Sequence, residues 1–229
     1  MDEIERIQRR YEERDASAAL TGFWSLGSPA VLHAAQERER VVLAALKARA
    51  IDLRALRVLD VGCGLGVEFP NYLRWGSAAA NLVGVDLSHA RLLHAARRFG
   101  VPVVQASGAA LPFADASFDL VVQNVVFSSI VDDSMRRKTA AEMLRVLRPG
   151  GHLLWYDAFR TRSSDPHFRT VPRAEICGLF ESVDWSFDTL TSDLGITVRA
   201  QRWLGDWSLP LLDGCRVLRT HLLGLGVKR

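Results

Sequence analysis

The sequence predicts an α/β protein with a doubly wound parallel sheet that carries helices on both faces. From residue 57 onward, short runs rich in valine and leucine alternate with amphipathic stretches, and a strand that returns parallel to its neighbour needs such a crossover helix. The chain has 229 residues, of which 48% are hydrophobic and 24% charged. This composition supports a packed core and excludes a chain that is disordered throughout.

Each predicted element follows from the length and flanks of its run. Buried strands are expected at 57–61, 81–87, 101–105, 118–126 and 151–159. Helices are expected between them at 68–75, 88–99 and 133–147, the last closed by the sequence Arg-Pro-Gly-Gly. Beyond Pro172 the pattern weakens and predicts, in order, a helix at 172–180, a strand at 182–190, a helical stretch over 192–213 and a strand at 215–227.

The first fifty residues are predicted to be helical with one break. The break, at 21–29, holds two glycines and a proline, which end a helix. It also holds Phe23 and Trp24, and rings of this size usually cover another surface. We therefore divide the chain into an N-terminal helical segment, 1–50, and a main domain, 51–229.

Charge and cysteine usage limit the expected partners and compartment. The net charge is only +3, which is small for a protein that binds the phosphate backbone, so no nucleic-acid partner is expected. Cys63, Cys177 and Cys215 are odd in number and far apart, which favours free thiols in a reducing compartment. No window approaches 18 consecutive apolar residues, so we expect a cytoplasmic protein without a membrane partner.

A glycine-rich turn and a following aspartate predict a nucleoside-binding site. The stretch 58–66, Val-Leu-Asp-Val-Gly-Cys-Gly-Leu-Gly, leads from a predicted strand into alternate glycines, which let a ligand lie against the backbone. Asp86 ends the second predicted strand, 20 residues after Gly66. A carboxylate there can accept hydrogen bonds from both ribose hydroxyls. The glycine spacing differs from that of dinucleotide-binding turns.

These motifs resemble those of the class I S-adenosylmethionine-dependent methyltransferases, in particular the small-molecule subgroup similar to methyltransferase type 11. VLDVGCGLG at 58–66 and VGVDLS at 83–88 are similar to its first two motifs, and the stretches at 109–122 and 144–151 to two more. The resemblance covers about residues 55 to 160. It implies S-adenosylmethionine as cofactor and a Rossmann-like sheet of seven strands, order 3-2-1-4-5-7-6, with the last strand antiparallel.

The resemblance also implies which residues contact the cofactor. Asp60 would orient the methionine end, Asp86 would hold the ribose, and Leu87 would lie on a face of the adenine. Ser107 stands where the subgroup often has an aspartate, so the adenine contact would pass to its hydroxyl or to the backbone. The remaining predicted contacts are Gly62, Cys63, Gly64, Gly108, Ala109 and Gln123.

The acceptor site is expected beside the carboxyl ends of the fourth and fifth strands, where ligands bind in open α/β sheets. The N-terminal segment 1–50 resembles the helical lids of small-molecule members. Predicted acceptor contacts are Tyr11, Phe23, Trp24, Phe127, Trp155 and Arg160. Predicted catalytic groups are Tyr156, Asp157, His167 and His33. No metal is expected, because Gln123 and Asn124 stand where metal-dependent families place an aspartate.

The predicted function is methyl transfer from S-adenosylmethionine to a small-molecule acceptor in specialised or cell-surface metabolite biosynthesis. Oxygen, nitrogen and carbon acceptors all stay open, and so does a homodimer. One alternative is a nucleic-acid methyltransferase, although Asn-Val-Val-Phe at 124–127 replaces the motif of base-nitrogen enzymes. The other is a protein that keeps the cofactor fold for binding alone.

Overall fold

The computed structural model describes residues 2–17 and 25–229, and these contain one sheet of seven strands in the order β3-β2-β1-β4-β5-β7-β6. Strand β7 is antiparallel to both β5 and β6, whereas the other neighbours are parallel. The predicted order and the antiparallel last strand are confirmed. The strands are β1 (Val58–Val61), β2 (Leu82–Asp86), β3 (Val103–Gln105), β4 (Phe118–Asn124), β5 (Leu147–Ala158), β6 (Val183–Ser192) and β7 (Arg219–Lys228).

Eight α-helices are found within the described residues, and none of them is long and apolar enough to cross a bilayer. Several begin at an aspartate or serine whose side chain accepts a backbone N–H of the first turn, as at Asp2, Ser88, Asp132 and Asp193. The helices are α1 (Glu3–Ala16), α2 (Pro29–Ala48), α3 (Phe69–Arg74), α4 (His89–Phe99), α5 (Asp133–Val146), α6 (Arg173–Leu179), α7 (Leu194–Leu204) and α8 (Ser208–Gly214).

The sheet is packed on both faces, as a parallel sheet requires. On one face, Leu46 of α2 and Phe69 of α3 pack with Tyr156 of β5. On the other, Met143 of α5 packs with Trp155 of β5. Neighbouring residues of β5 therefore point into different halves of the core, which decides which of them can reach the site.

Three differences from the predicted elements have local causes. Strand β4 ends at Asn124 rather than 126, because Val125 takes a left-handed conformation with φ 56°. Strand β5 begins at Leu147 rather than 151, because α5 runs directly into it and Leu147 pairs with Phe118. The helical stretch predicted over 192–213 is two helices, separated at Gly205 with φ 85°.

The two helices described within 1–50 have different surroundings. Helix α2 packs Val42 and Leu46 into the core beside the sheet, so it is one of the layer helices. Helix α1 instead packs Ile7 against Ile130 and Met135 at the carboxyl edge of the sheet. Of the two helices, α1 is the one that covers this edge.

Candidate functional site

The turn after β1 is fixed to the neighbouring strand. The N–H groups of Gly62 and Cys63 both donate to the carbonyl oxygen of Val85, at 2.7 and 2.9 Å. Gly62 has φ 74°, and a Cβ there would lie 2.5 Å from a methyl group of Val126. A side chain at Gly62 would therefore be both strained and in collision with the loop after β4.

Asp86, at the end of β2, braces this turn. Its Oδ2 accepts a hydrogen bond from the Gly64 N–H at 2.9 Å, and its Oδ1 accepts one from the Ser88 N–H at 2.9 Å. Each carboxylate oxygen has a second lone pair. Asp86 is half-buried and lines a cavity, so the carboxylate can hold the turn and accept further hydrogen bonds from a ligand.

The cavity lies at the carboxyl ends of β1, β2 and β4, with α1 as its outer wall. Four of the residues predicted for the cofactor line it: Gly62, Asp86, Leu87 and Gly108. The full lining is Ile7, Gln8, Tyr11, Val61, Gly62, Val85, Asp86, Leu87, Ser88, Arg91, Ala106, Gly108, Asn124, Val125, Val126, Ser129, Ile130, Met135 and Thr139.

The other residues predicted for the cofactor lie next to this cavity. Ser107 accepts a hydrogen bond from the Ala109 N–H at 3.2 Å, which shapes the turn after β3. Cys63 is buried, and burial raises the pKa of its thiol. Gln123 is fully buried and accepts the Val126 N–H at 3.0 Å. Its side chain therefore supports the loop after β4 from below.

Helix α1 is fastened over the cavity by polar contacts along its length. Near its start, Glu3 accepts the Val131 N–H at 2.7 Å. In its middle, Gln8 donates to the carbonyl of Leu87 at 3.2 Å. Further along, the hydroxyl of Tyr11 lies 3.1 Å from that of Ser129. These contacts bring Tyr11, predicted to contact the acceptor, onto the cavity that holds the predicted cofactor residues.

A buried carboxyl lies beneath the glycine turn. Asp60 is 2% exposed, and none of the described residues donates a hydrogen bond to its carboxylate. Burial, together with the nearby charges of Glu68 and Asp86, holds the pKa of Asp60 well above its ordinary value. The positive charge of Arg38 on α2, which forms an ion pair with Glu68, lowers the pKa of Asp60 and so offsets part of this increase.

Arg38 and Glu68 lie near Asp60 and Tyr156 but carry no sequence motif. Burial lowers the pKa of the Arg38 guanidinium, but the nearby Glu68 carboxylate and the hydroxyls of Tyr156 and Tyr72 raise it by more. The net shift is upward, so the guanidinium stays charged. It lies 5.0 Å from the ring centroid of Tyr156, in cation–π range. Only the packing of α2 onto the sheet brings this cation to the end of β5.

Tyr156 forms the centre of a buried polar group at the end of β5. Its hydroxyl lies 2.8 Å from the Thr191 hydroxyl, and its ring stacks on His221 at 4.9 Å with an 11° interplanar angle. Burial raises the pKa of Tyr156 to about 12 and lowers that of His221 to about 4. Both side chains are therefore neutral near pH 7. Sequence reasoning missed His221, which pairs with Ala158 in the register of β5 and β7.

Two strained residues hold the backbone around Tyr156. Val125 and Thr191 have φ values of 56° and 57°, a region that β-branched residues rarely adopt. The Val125 N–H donates to the Tyr156 carbonyl at 2.8 Å, and Thr191 contacts the Tyr156 hydroxyl. Such strain costs on the order of 1–3 kcal/mol at each residue and is commonest at functional sites.

The remaining predicted catalytic residues have other partners. Asp157 is fully buried and accepts the backbone N–H groups of Ser128 and Ala158, at 3.1 and 2.8 Å. His33 is 2.6 Å from Asp213, which joins α2 to α8. His167 is 3.2 Å from Arg6, at the outer side of α1. Neither these three residues nor Tyr156 lines the cavity.

The predicted acceptor contacts are also dispersed. Trp155 and Phe127 lie in the core, with ring centroids 4.7 Å apart, on the sheet face opposite Tyr156. Arg160 donates to the Arg216 carbonyl at 2.9 Å on the protein surface. Phe23 and Trp24 lie outside the described residues. Strand alternation could have separated Trp155 from Tyr156, since adjacent residues of a strand face opposite sides.

Comparison with known proteins gives one consistent family. The model of the methyltransferase domain family matches residues 59–155. A malonyl-[acyl-carrier protein] O-methyltransferase of Enterobacter lignolyticus (strain SCF1) is 34% identical over 193 residues, which are 83% of this chain and 72% of the relative. A phthiotriol/phenolphthiotriol dimycocerosates methyltransferase 1 of Mycobacterium ulcerans (strain Agy99) is 38% identical over 110 residues, which are 47% of this chain and 39% of the relative.

A solved structure has the same fold. The crystal structure of an S-adenosylmethionine-dependent methyltransferase from Mesorhizobium loti superposes with a TM-score of 0.59 at 18% identity, covering 81% of this chain and 96% of that chain. The family match, together with the glycine turn and Asp86, shows that this chain belongs to the class I S-adenosylmethionine-dependent methyltransferases. Its cofactor is S-adenosylmethionine.

The residues present fit this cofactor. S-adenosylmethionine carries a sulfonium and an ammonium group, and the buried Asp60 carboxylate has no hydrogen-bond donor among the described residues. A buried unpaired carboxylate is costly unless a cation faces it. The N–H groups of Gly62, Cys63 and Gly64 are used within the protein, and Gly62 lines the cavity without a side chain, so a nucleoside can approach the backbone closely there.

Proposed function

We propose that this methyltransferase transfers the methyl group of S-adenosylmethionine to a small-molecule acceptor bound beside Asn124 and Tyr156. The observation that carries the proposal is the buried Asp60 carboxyl, which lies under the glycine turn and lacks a donor among the described residues. The names of the two relatives specify different acceptors, malonyl-[acyl-carrier protein] in one and phthiotriol/phenolphthiotriol dimycocerosates in the other. The acceptor of this chain is therefore proposed by class, from specialised or cell-surface metabolism.

On the cofactor side, each predicted residue takes a role that its position supports. Asp86 accepts hydrogen bonds from the ribose hydroxyls while the Gly64 and Ser88 N–H groups hold it in place. Leu87 covers one face of the adenine, and the turn formed by Ser107, Gly108 and Ala109 closes its edge. Asp60 faces the cationic part of the cofactor. Gly62, Cys63, Gly64 and Gln123 contribute backbone or support the loops.

When bound, S-adenosylmethionine supplies an electrophilic methyl group on a positively charged sulfur. This chain's part is to hold the acceptor lone pair in line with that methyl group and to exclude water. Helix α1 closes the cavity from outside. Asn124, which donates to the Tyr72 hydroxyl at 3.2 Å, marks the border between the cavity and the polar group around Tyr156.

On the acceptor side, the chain offers hydrogen bonds rather than a strong base. Burial raises the pKa of Tyr156 to about 12, so its hydroxyl stays protonated, and burial lowers the pKa of His221 to about 4. Arg38 adds one buried positive charge beside them. This combination suits an acceptor whose reacting atom already has an available lone pair and which carries an anionic or polar group for Arg38.

Replacement of Asp86 tests the proposal. Asp86→Ala removes the carboxylate from the Gly64 and Ser88 N–H groups and from the ribose, so we expect affinity for S-adenosylhomocysteine to fall roughly ten- to hundredfold, as for hydrogen bonds to a charged group. Isothermal titration calorimetry measures this directly. The matched control is Asp115→Ala, an exposed carboxylate paired with Arg145, which should leave affinity unchanged.

A second measurement concerns the acceptor. Incubation with methyl-labelled S-adenosylmethionine and panels of small carboxylates, phenols and amines should transfer label to one class, and Tyr156→Phe should lower that transfer without changing cofactor affinity. Unchanged binding in Asp86→Ala contradicts the site. Tight cofactor binding with no transfer to any panel would favour a binding protein, and label on added RNA or DNA would favour the nucleic-acid alternative.

A further inference from the structure

The hairpin formed by α7 and α8 presents an unusual set of exposed apolar side chains. We call this set the indole patch, and it consists of Trp203, Leu204, Trp207, Leu211 and Val217. Their exposed fractions are 84%, 53%, 63%, 66% and 76% in that order. Two tryptophans this exposed, next to three aliphatic side chains, exceed the scattered apolar residues of an ordinary surface.

Four members of the indole patch lie on the hairpin, and Val217 lies in the 3-10 turn, Arg216–Leu218, that follows α8. Trp203 and Leu204 end α7, and Trp207 immediately precedes α8. Leu211 follows Trp207 by one helical turn and so lies on the same side of α8. Gly205, between the helices, lies against the Trp207 ring, since a Cβ there would be 3.6 Å from its Cδ1. The hairpin thus projects its apolar side chains outward.

Positive charge surrounds the indole patch. Arg199, Arg202 and Arg216 are exposed, and none of them forms an ion pair with a described residue. Arg160 adds a fourth cation, since it donates to the Arg216 carbonyl. The hairpin also carries an exposed acid, Asp206, but its carboxylate accepts a hydrogen bond from the Gln201 amide and is not paired with any of these arginines. Arg97 and Arg98 of α4 are also exposed and have no ion pair with a described residue, but the exposed large apolar side chain of that helix is Leu93 alone.

We propose that the indole patch binds the surface of a membrane that contains anionic lipids, contrary to the sequence-based expectation of no membrane partner. Tryptophan is the side chain that favours the boundary between headgroups and acyl chains, and flanking arginines are attracted to anionic headgroups. The helices lie on the surface and do not span it. This binding would place the methyltransferase beside acceptors that partition into lipid, and it is independent of the identity of the acceptor.

A second copy of this chain fits the indole patch less well. A twofold interface through the patch would gather Arg199, Arg202 and Arg216 of both copies in one place, and like charges across an interface are unfavourable. A tryptophan that anchors a protein interface is usually packed into a well-formed pocket, whereas Trp203 is 84% exposed. Soft headgroups accept such a projecting ring without a preformed pocket.

Vesicle sedimentation tests the proposal with the full chain. Wild-type protein should sediment with vesicles of equal parts phosphatidylcholine and phosphatidylglycerol, and much less with phosphatidylcholine alone. The double variant Trp203→Ser, Trp207→Ser should lower the partition coefficient at least about tenfold, as expected from lost apolar burial. The triple variant Arg199→Gln, Arg202→Gln, Arg216→Gln should lower it roughly fivefold for each charge, and the effect should vanish in high salt.

The matched control changes another basic, exposed face. The variant Leu93→Ser, Arg97→Gln, Arg98→Gln on α4 removes one exposed apolar side chain and two exposed arginines, and it should sediment like the wild type. All variants should keep the wild-type affinity for S-adenosylhomocysteine, which shows that they are folded. Any of three results would overturn the proposal: no sedimentation with anionic vesicles, equal loss in the α4 control, or a dimer in light scattering that the tryptophan variant converts to monomer while lipid has no effect.

Discussion

The carboxylate of Asp15 on α1 accepts two hydrogen bonds from the guanidinium of Arg91 on α4, at 2.6 and 2.7 Å. The same guanidinium lies 4.3 Å from the ring centroid of Tyr11. It is also 3.4 Å from where a Cβ of Gly64 would be. The contact between the two helices therefore covers the cavity beside the glycine turn, and we predict that release of a bound nucleoside requires α1 to separate from α4.

Asp15→Asn should speed the release of S-adenosylhomocysteine. The hydrogen bonds from Arg91 lower the pKa of Asp15, so the pair is charged near pH 7. A partly exposed pair of this kind is worth about 0.2–1 kcal/mol, which corresponds to a release rate up to roughly fivefold higher. Stopped-flow displacement measures the rate. Glu13→Gln, whose partner Arg9 lies on the same helix, is the control, and an equal effect there would refute the closing role of α1.

Asp157 should make the protein less stable as the pH rises. Burial raises the pKa of Asp157 to about 6, above its ordinary value of 3.8. Between those values the folded protein binds a proton that the unfolded chain has released, so the stabilising contribution is complete below about pH 4 and lost through about pH 6. Asp157→Asn has no such dependence. The difference in unfolding free energy, wild type minus variant, should fall by up to roughly 3 kcal/mol over this range in urea titrations.

Asp119 provides a control with the opposite sign. Burial raises its pKa, but hydrogen bonds from the Arg57 N–H and from Arg148 outweigh this and lower the pKa below its ordinary value. Asp119 therefore stabilises the fold above the unfolded pKa and loses that contribution in acid. The same difference measured with Asp119→Asn should rise with pH. Parallel slopes for the two variants would refute the assignment for Asp157.

Ala116→Gly should stabilise the protein. Ala116 is exposed and has φ 53°, a conformation that costs an L-residue about 1–2 kcal/mol. Glycine removes that cost but loses about 0.5–1 kcal/mol in chain entropy relative to alanine. We expect a net gain of roughly 0.5–1 kcal/mol by thermal or urea unfolding. Ala114→Gly, in the same loop at negative φ, should not stabilise, and a gain there would remove the strain argument.

Two thiols should react in the native protein and three in denaturant. Cys177 and Cys215 are exposed, whereas Cys63 is buried in the glycine turn. Burial raises the pKa of Cys63, so its thiolate is scarce as well as shielded. Titration with an aromatic disulfide reagent counts the reactive groups. Fast reaction of a third thiol in the native state would show that the turn opens readily.

That Gly62 and Asp86 would lie together at one cavity could be predicted, because the turn and strand end that place them are local in sequence. Gly62 and Gly64 are required by the backbone of a single turn, and Asp86 sits at the end of the next strand, so a short stretch of sequence carries the whole arrangement. Val125 limited the prediction of β4, because its left-handed conformation is imposed by the Tyr156 carbonyl and leaves no mark in the sequence.

The polar group around Tyr156, which we propose for the acceptor, could not be predicted from the sequence because it is built by tertiary contacts. Arg38 reaches Tyr156 only when α2 packs on the sheet, and His221 stacks on it only through the pairing of β5 with β7. The sequence predicts His33 and His167 as catalytic groups, and the structure places Asp213 beside His33 and Arg6 beside His167, both from distant parts of the sequence. Pairwise contacts between remote segments decide which of these groups face a ligand.

Strand β7 pairs with β5 on one side and with β6 on the other, although it follows both in the chain. During synthesis, β6 is therefore made before β7, which is its one neighbour in the sheet formed by the described residues. Until 219–228 emerge, the nascent chain exposes two unpaired edges, and such edges invite intermolecular association. Chaperone dependence during translation should therefore be greatest in the interval between the synthesis of β6 and its pairing with β7.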